Sequence, residues 1–243
     1  MLSFMASANY SWKNPYVLAA TLRADASSKF GKRHRWGWFP SVSASWVASN
    51  EPFLKDVKWL SKLKFNLGSG LSGNQGALGP YNSLQLVGPT GLVSYEGNAA
   101  TSFGLLRNAN PDLKWEVRSS VNAGMEASFW HNRIVFTAEY YYSLTRDMLY
   151  EYQVSVPPFA YSSLMANLGQ MSNSGLELGL GGTLHQDKDM QVNLNMNLSF
   201  QRNRLISLSG KWQGEYLEAP EIQGINSMDG AGFHGGDNDV VSR

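Results

Sequence analysis

Cysteine is absent from this 243-residue chain, so neither a disulfide nor a thiolate metal site holds it together. Charge is scarce as well: Asp, Glu, Lys and Arg make up 16%, against roughly 25% in an ordinary soluble domain. The formal net charge is +1, and no Lys/Arg run marks a nucleic-acid surface or a polybasic lipid anchor. Nucleic acid is therefore excluded as a partner. No apolar run reaches the length of a membrane helix, and the start, "MLSFMASANYSW", lacks the basic leader and unbroken apolar core of a signal peptide. These absences leave one membrane architecture open. A barrel strand needs only about 9–11 residues and shows lipid only every second one.

What is present fits that architecture. In "MQVNLNMNLSF", Met190, Val192, Leu194, Met196, Leu198 and Phe200 alternate with Gln191, Asn193, Asn195, Asn197 and Ser199. A period of two marks a strand with unlike faces. The same alternation predicts strands near residues 2–13, 16–25, 37–47, 62–72, 113–129, 134–150, 169–184 and 190–203. One short helix is expected in "SNEPFLKDVKWLSK", where Ser49 or Asn50 caps, Pro52 suits a first turn, and Phe53, Leu54, Val57 and Leu60 share a face. Residues 73–112 read as a long Gly/Asn/Pro-rich loop, and 209–243 as a truncated loop segment without pattern.

Connections between the expected strands alternate between short and long, as when one rim of an antiparallel barrel is trimmed and the other elaborated. Aromatics gather at strand ends, Trp12 and Tyr16, Trp36 and Trp38, Phe129 and Trp130 among them, where a ring can be dry and its polar edge wet. The odd face of the quoted strand decides which side is which. A soluble barrel's outer face carries Lys and Glu; a row of Asn and Ser suits a crowded, wet lumen. The expected fold is all-β, an antiparallel transmembrane β-barrel with Met, Val, Leu and Phe toward lipid. Since backbone groups in lipid must all be paired, the strands have to belong to a closed ring.

Three long strings carry a family resemblance. Residues 23–76, "RADASSKFGKRHRWGWFPSVSASWVASNEPFLKDVKWLSKLKFNLGSGLSGNQG", together with "NANPDLKWEVRSSVNAGMEASFWHNRIVFTAEYYYSLTRDMLY" and "VPPFAYSSLMANLGQMSNSGLELGL", resemble the SusC/RagA-like branch of TonB-dependent outer-membrane transporters. The resemblance implies a barrel of about twenty-two strands with an N-terminal plug. It also implies import of glycan or peptide fragments on energy relayed by TonB, and a SusD-like surface lipoprotein closing over the barrel as a lid. No plug, TonB box or signal peptide is recognisable here, and the chain ends in "NDVVSR". It reads as an internal piece of the larger barrel, about eight strands cut at both ends, with TonB contacting the missing N-terminal part.

No nucleophile elbow, phosphate loop, dinucleotide fingerprint or zinc spacing is found, so no enzyme, cofactor or metal is expected. His34, His131, His185 and His234 fall in separate loops or turns, and "HGGDNDVV" holds only a fragment of a calcium-loop pattern. The glycines of "GLELGLGG" make room inside the barrel. Glu126 and Glu177 read as lumen-facing partners for Arg118 or Lys114, not as an acid/base pair. Ligand contact is expected in the long loops, where Asn74, Gln75, Tyr81, Tyr95 and Asn98 offer amides and flat rings to a sugar or peptide. Two other readings stay open at this stage: a self-contained small barrel serving as a surface adhesin, and a soluble β-sandwich enzyme or lectin.

Overall fold

The structure, a computed structural model, describes residues 1–13, 15–188 and 190–218. Its main body is one antiparallel sheet of eight strands. These are β1 (Leu2–Trp12), β2 (Tyr16–Ala26), β3 (Trp36–Val47), β4 (Leu60–Asn74), β7 (Glu116–Phe129), β8 (Ile134–Gln153), β9 (Ser163–Gln186) and β10 (Gln191–Ser207), neighbours in that order. Two hairpins stand apart from it: β5 (Leu86–Tyr95) with β6 (Asn98–Arg107), and β11 (Gly210–Trp212) with β12 (Glu215–Leu217). Among the described residues nothing joins β1 to β10. The sheet is open, so the self-contained small barrel is not what these strands form.

Register makes the two faces explicit. One transverse row crosses all eight strands as Tyr10, Leu18, Ala44, Leu67, Ala123, Tyr140, Leu176 and Phe200. A row of the other parity crosses as Ser7, Thr21, Ser41, Gly70, Ser120, Ser143, Asn173 and Asn203. Because pleated neighbours in register share a face, the alternation of single strands adds up to one oily and one hydrophilic surface. On the hydrophilic side, glycine lets large partners lie flat: a Cβ at Gly175 would meet the Tyr141 ring at 2.5 Å.

Four sequence expectations are corrected. Residues 52–59 form successive turns after a single 3-10 turn at Ala48–Asn50. No helix forms there, because a segment this short is marginal without a core, and Phe53 is 68% exposed at the trimmed rim. The expected loop 73–112 contains the β5–β6 hairpin, closed by Glu96 and Gly97 with φ of 50° and 78°, as a two-residue turn of the I′ kind requires. Register shifts at Leu86/Val87 and Pro89/Gly91 break its period and hide it from an alternation search. The segment after 209 holds the β11–β12 hairpin; "HGGDNDVV" and His234 lie outside the described residues. The strand expected from 113 begins at Glu116, since Leu113 and Trp115 turn into a buried cluster.

Two clusters form the only sizeable side-chain core among the described residues, and both sit at the long-loop rim. Phe30, Phe39, Leu78, Leu113 and Trp115 make the first; Tyr152, Leu164, Ala166 and Leu217 make the second. They gather chain from the β2–β3, β4–β7 and β8–β9 connections and from the β11–β12 hairpin, above the height at which the oily face lies bare.

Candidate functional site

Dimensions of the oily face fit a bilayer. Trp36 and Trp46 stand on the same face of β3 at its two ends, about 33 Å apart at roughly 3.3 Å per residue. A strand tilt of about 40° brings this to about 25 Å, the height of an outer-membrane apolar band. The trimmed rim bears a girdle of ring pairs: Trp12–Tyr16 at 5.6 Å, Trp46–Phe65 at 5.7 Å and Trp59–Phe129 at 5.9 Å between centroids. Phe4 stacks on Trp36 at 6.3 Å at the opposite rim. Between the girdles Leu18, Val42, Leu67, Val121, Leu198 and Phe200 are all exposed. A soluble surface rarely tolerates so continuous an apolar patch, which sets the soluble sandwich aside.

The opposite face offers hydroxyls, amides and a few charges. Ser45 donates to Asn66 Oδ1 at 2.5 Å and Thr183 to Asn193 Oδ1 at 2.9 Å. The charge partners differ from those expected. Glu126 pairs with Lys62 at 2.8 Å, and Lys114 with Asp147 at 3.0 Å; cross-strand register, which places Lys62 diagonally from Glu126, decides this. Glu177 lies directly opposite Glu139, with no cation from the described residues in ion-pair reach of either.

Above the band, asparagine amides substitute for strand pairing. Asn108 Nδ2 donates to the carbonyls of Tyr161 and Ser163 at 2.5 and 2.9 Å, while its Oδ1 accepts the amides of Ala160 and Tyr161 at 3.2 and 3.0 Å. Asn110 Nδ2 donates to Met165 O at 2.8 Å and its Oδ1 accepts Trp212 Nε1–H at 3.3 Å. Asn167 clasps both the carbonyl and the amide of Lys114, at 2.8 and 3.0 Å. Sequence reading missed these three clamps; the signal for two of them, Asn108 and Asn110, is the "NANP" run, whose amides face buried backbone that no ladder satisfies. Beside them Tyr152 is fully buried and donates its hydroxyl to Leu208 O at 2.5 Å. Burial first, and the neighbouring Tyr150 phenol second, push its pKa up to about 12.

The five expected ligand residues do not form one cluster. Asn74 and Gln75 sit where β4 ends; Asn74 Nδ2 donates to Glu116 at 3.1 Å and its Oδ1 accepts Gly76 N–H at 2.8 Å. Gln75 Nε2 reaches Met1 Sδ at 3.1 Å, and its Oε1 is buried without a partner among the described residues. Tyr81 is exposed in the following turn, at φ 63°. Tyr95 and Asn98 face each other across the tip of the β5–β6 hairpin. Among the described residues no three His, Asp or Glu side chains converge as a metal site.

A family model described as "TonB dependent receptor-like, beta-barrel" matches residues 2–236. The chain belongs to this receptor family. Among curated proteins it is similar to "TonB-dependent receptor SusC" of Bacteroides thetaiotaomicron, 32% identical over 224 residues, covering 89% of this chain and 22% of that one. Among solved structures it is similar to the RagAB peptide importer in its "closed-closed" state, with TM-score 0.75, 29% identity, and 90% of this chain but 24% of that one covered. The "open-open" state gives TM-score 0.76 at the same identity and coverage. This is thus a SusC/RagA-like receptor wall, and it spans about a fifth of the length of the curated relatives it matches. The open sheet agrees: eight strands of a TonB-dependent receptor need more strands to close.

Proposed function

We propose that the chain is a wall segment of an outer-membrane, TonB-dependent importer of glycan or peptide nutrients, acting by lining and loop contact without making bonds. The supporting observation is the pair of transverse rows. One is fit for hydrocarbon and the other for a wet bore, over a height that matches the bilayer. Import under TonB control is supported by the designation of SusC as a TonB-dependent receptor; a peptide cargo gains weight from RagAB being a peptide importer. The chain is equally similar to the closed-closed and open-open RagAB states, which favours a static wall with the moving parts elsewhere.

In this reading TonB engages a part of the receptor outside this chain, and a SusD-like lipoprotein covers the elaborated rim. Asn74, Gln75, Tyr81, Tyr95 and Asn98 meet cargo or lid from that rim. Labelling of the reconstituted receptor by a bilayer-dissolved photoprobe tests the facing on which all this depends. Val192 and Leu198 are expected to be marked and Asn193 and Asn197 spared; the reverse pattern removes the importer reading. For the cargo, Tyr95→Ala and Asn98→Ala are expected to slow uptake of an oligosaccharide or peptide while leaving receptor abundance at the surface unchanged.

A further inference from the structure

The oily face is not uniform. A groove of about 650 Å³ cuts into it, with Ala44, Ala123 and Ala138 among its lining and rings and large aliphatic side chains on either side. Its course is oblique to the membrane. At one end are Trp12, Tyr16 and Trp46, beside the trimmed connections that follow β1 and β3. From there it climbs past Phe65 and Met125 to Ala138, four residues into β8, and to Leu176, ten residues before β9 ends at Gln186. The short connections mark the periplasmic rim of an outer-membrane barrel, so the groove runs from the headgroup level of the inner leaflet up into hydrocarbon. An acyl chain follows the same course.

Charges of both signs stand beside the rings at this end. Lys13 Nζ lies 4.8 Å from the centre of the Trp12 ring. Beside Tyr16, the cross-strand neighbour of Trp46, the Glu51 carboxylate accepts Trp46 Nε1–H at 3.2 Å. These rings, with Trp12 against Tyr16 and Trp46 stacked on Phe65 and hydrogen-bonded to Glu51, form walls that exist before any occupant arrives, which lowers the ordering cost of binding. We propose that this groove is a phospholipid site: an acyl chain lies along the alanines, the phosphate meets Lys13, and a primary ammonium meets Glu51. The expected occupant is a phosphatidylethanolamine of the periplasm-side leaflet, held more firmly than the lipids around the rest of the wall. This inference rests on the lipid-facing reading above.

Native mass spectrometry of the full receptor tests it, after equilibration with equimolar phosphatidylethanolamine, phosphatidylcholine and phosphatidylglycerol of equal chain length. The expected result is one retained phosphatidylethanolamine per receptor. Ala123→Phe, which fills the groove with apolar volume, should cut that occupancy at least fivefold, and Glu51→Gln should abolish the preference over phosphatidylcholine. No retained lipid, occupancy indifferent to Ala123→Phe, or a lipid-free receptor dimer sealed over this face each overturns the proposal. Should Ala123→Phe not assemble, quenching in the unaltered receptor decides. Ring-adjacent Trp emission should fall more with brominated phosphatidylethanolamine than with brominated phosphatidylcholine, and equal quenching refutes the site. Photoprobe labelling of Val192 and Leu198 in the same preparation separates the two failures, since a receptor can keep its lipid-facing side and still hold no particular lipid.

Discussion

At bilayer height Leu194 and Met196 leave 55% and 49% of their surface open, whereas at the elaborated rim Leu113 and Leu164 leave 0% and 1%. The two regions are built from the same residue types and held by different forces. In the spanning sheet, cohesion comes from the backbone ladder, which hydrocarbon makes obligatory because no water competes for the unpaired groups; side chains there need only suit the medium on their side. At the rim, water returns and the hydrophobic effect drives Phe30, Phe39, Leu113 and Trp115 into one packed cluster. The same leucine is therefore a solvent-matching group in one region and a core group in the other.

Substitutions can break this contrast in graded steps. The largest effect is expected from Trp115→Ala. It removes the ring packed 4.6 Å from Phe30 and 5.5 Å from Phe39, and the hydrogen bond from Nε1 to Arg35 O. A loss of about 3–5 kcal/mol should appear as faster hydrogen exchange at the rim, with the spanning strands unaffected. Next comes Leu194→Arg, which sets a charge toward mid-bilayer at a cost of about 2–4 kcal/mol, while Asn195→Arg beside it is mild. Equal destabilisation of both in a lipid folding assay would contradict the assignment of faces. Gly31→Ala follows at about 1–3 kcal/mol, since the Pro111 carbonyl occupies the place of any Cβ there; protease nicking of the β2–β3 loop would report it.

Titration of Tyr152 separates the regions without mutation. Its folded pKa is raised from 10.0 to about 12, so the folded form keeps a proton that the unfolded chain gives up. The associated stability is whole below about pH 10 and is lost as pH climbs toward 12. Rim protection should decay in that window in the unaltered protein and not in Tyr152→Phe. The smallest effect is expected from Glu177→Gln, which relieves the repulsion from Glu139 directly across the ladder. A gain of about 0.2–1 kcal/mol should raise the denaturation midpoint of the full receptor slightly.

Legibility followed the same division. The spanning strands could be read because each residue answers to one medium and the period of two survives, as in Leu194, Met196 and Leu198 against Asn193, Asn195 and Asn197. The rim could not. Leu113 and Trp115 continue the alternation of β7 on paper, yet they leave the sheet for a cluster whose other members come from residues 30, 39 and 78. The β5–β6 hairpin slipped its period at Pro89/Gly91, and the turns after Asn50 lacked the core that a helix needs. The expected ligand residues were dispersed for a similar reason: Asn74 is occupied with Glu116 and Gly76, while Tyr95 and Asn98 sit on a separate hairpin.

By itself, then, the order of residues determined that this protein makes long two-faced strands with lipid-fit and water-fit sides, because that choice is made locally, residue by residue, against the surrounding solvent. Tertiary structure alone decided which strands meet in register, where Glu177 confronts Glu139, and how the three asparagine clamps close the rim. It also made the alanines of three strands line a single groove. Those are relations between distant residues, fixed only when the ladder and the rim clusters bring them together.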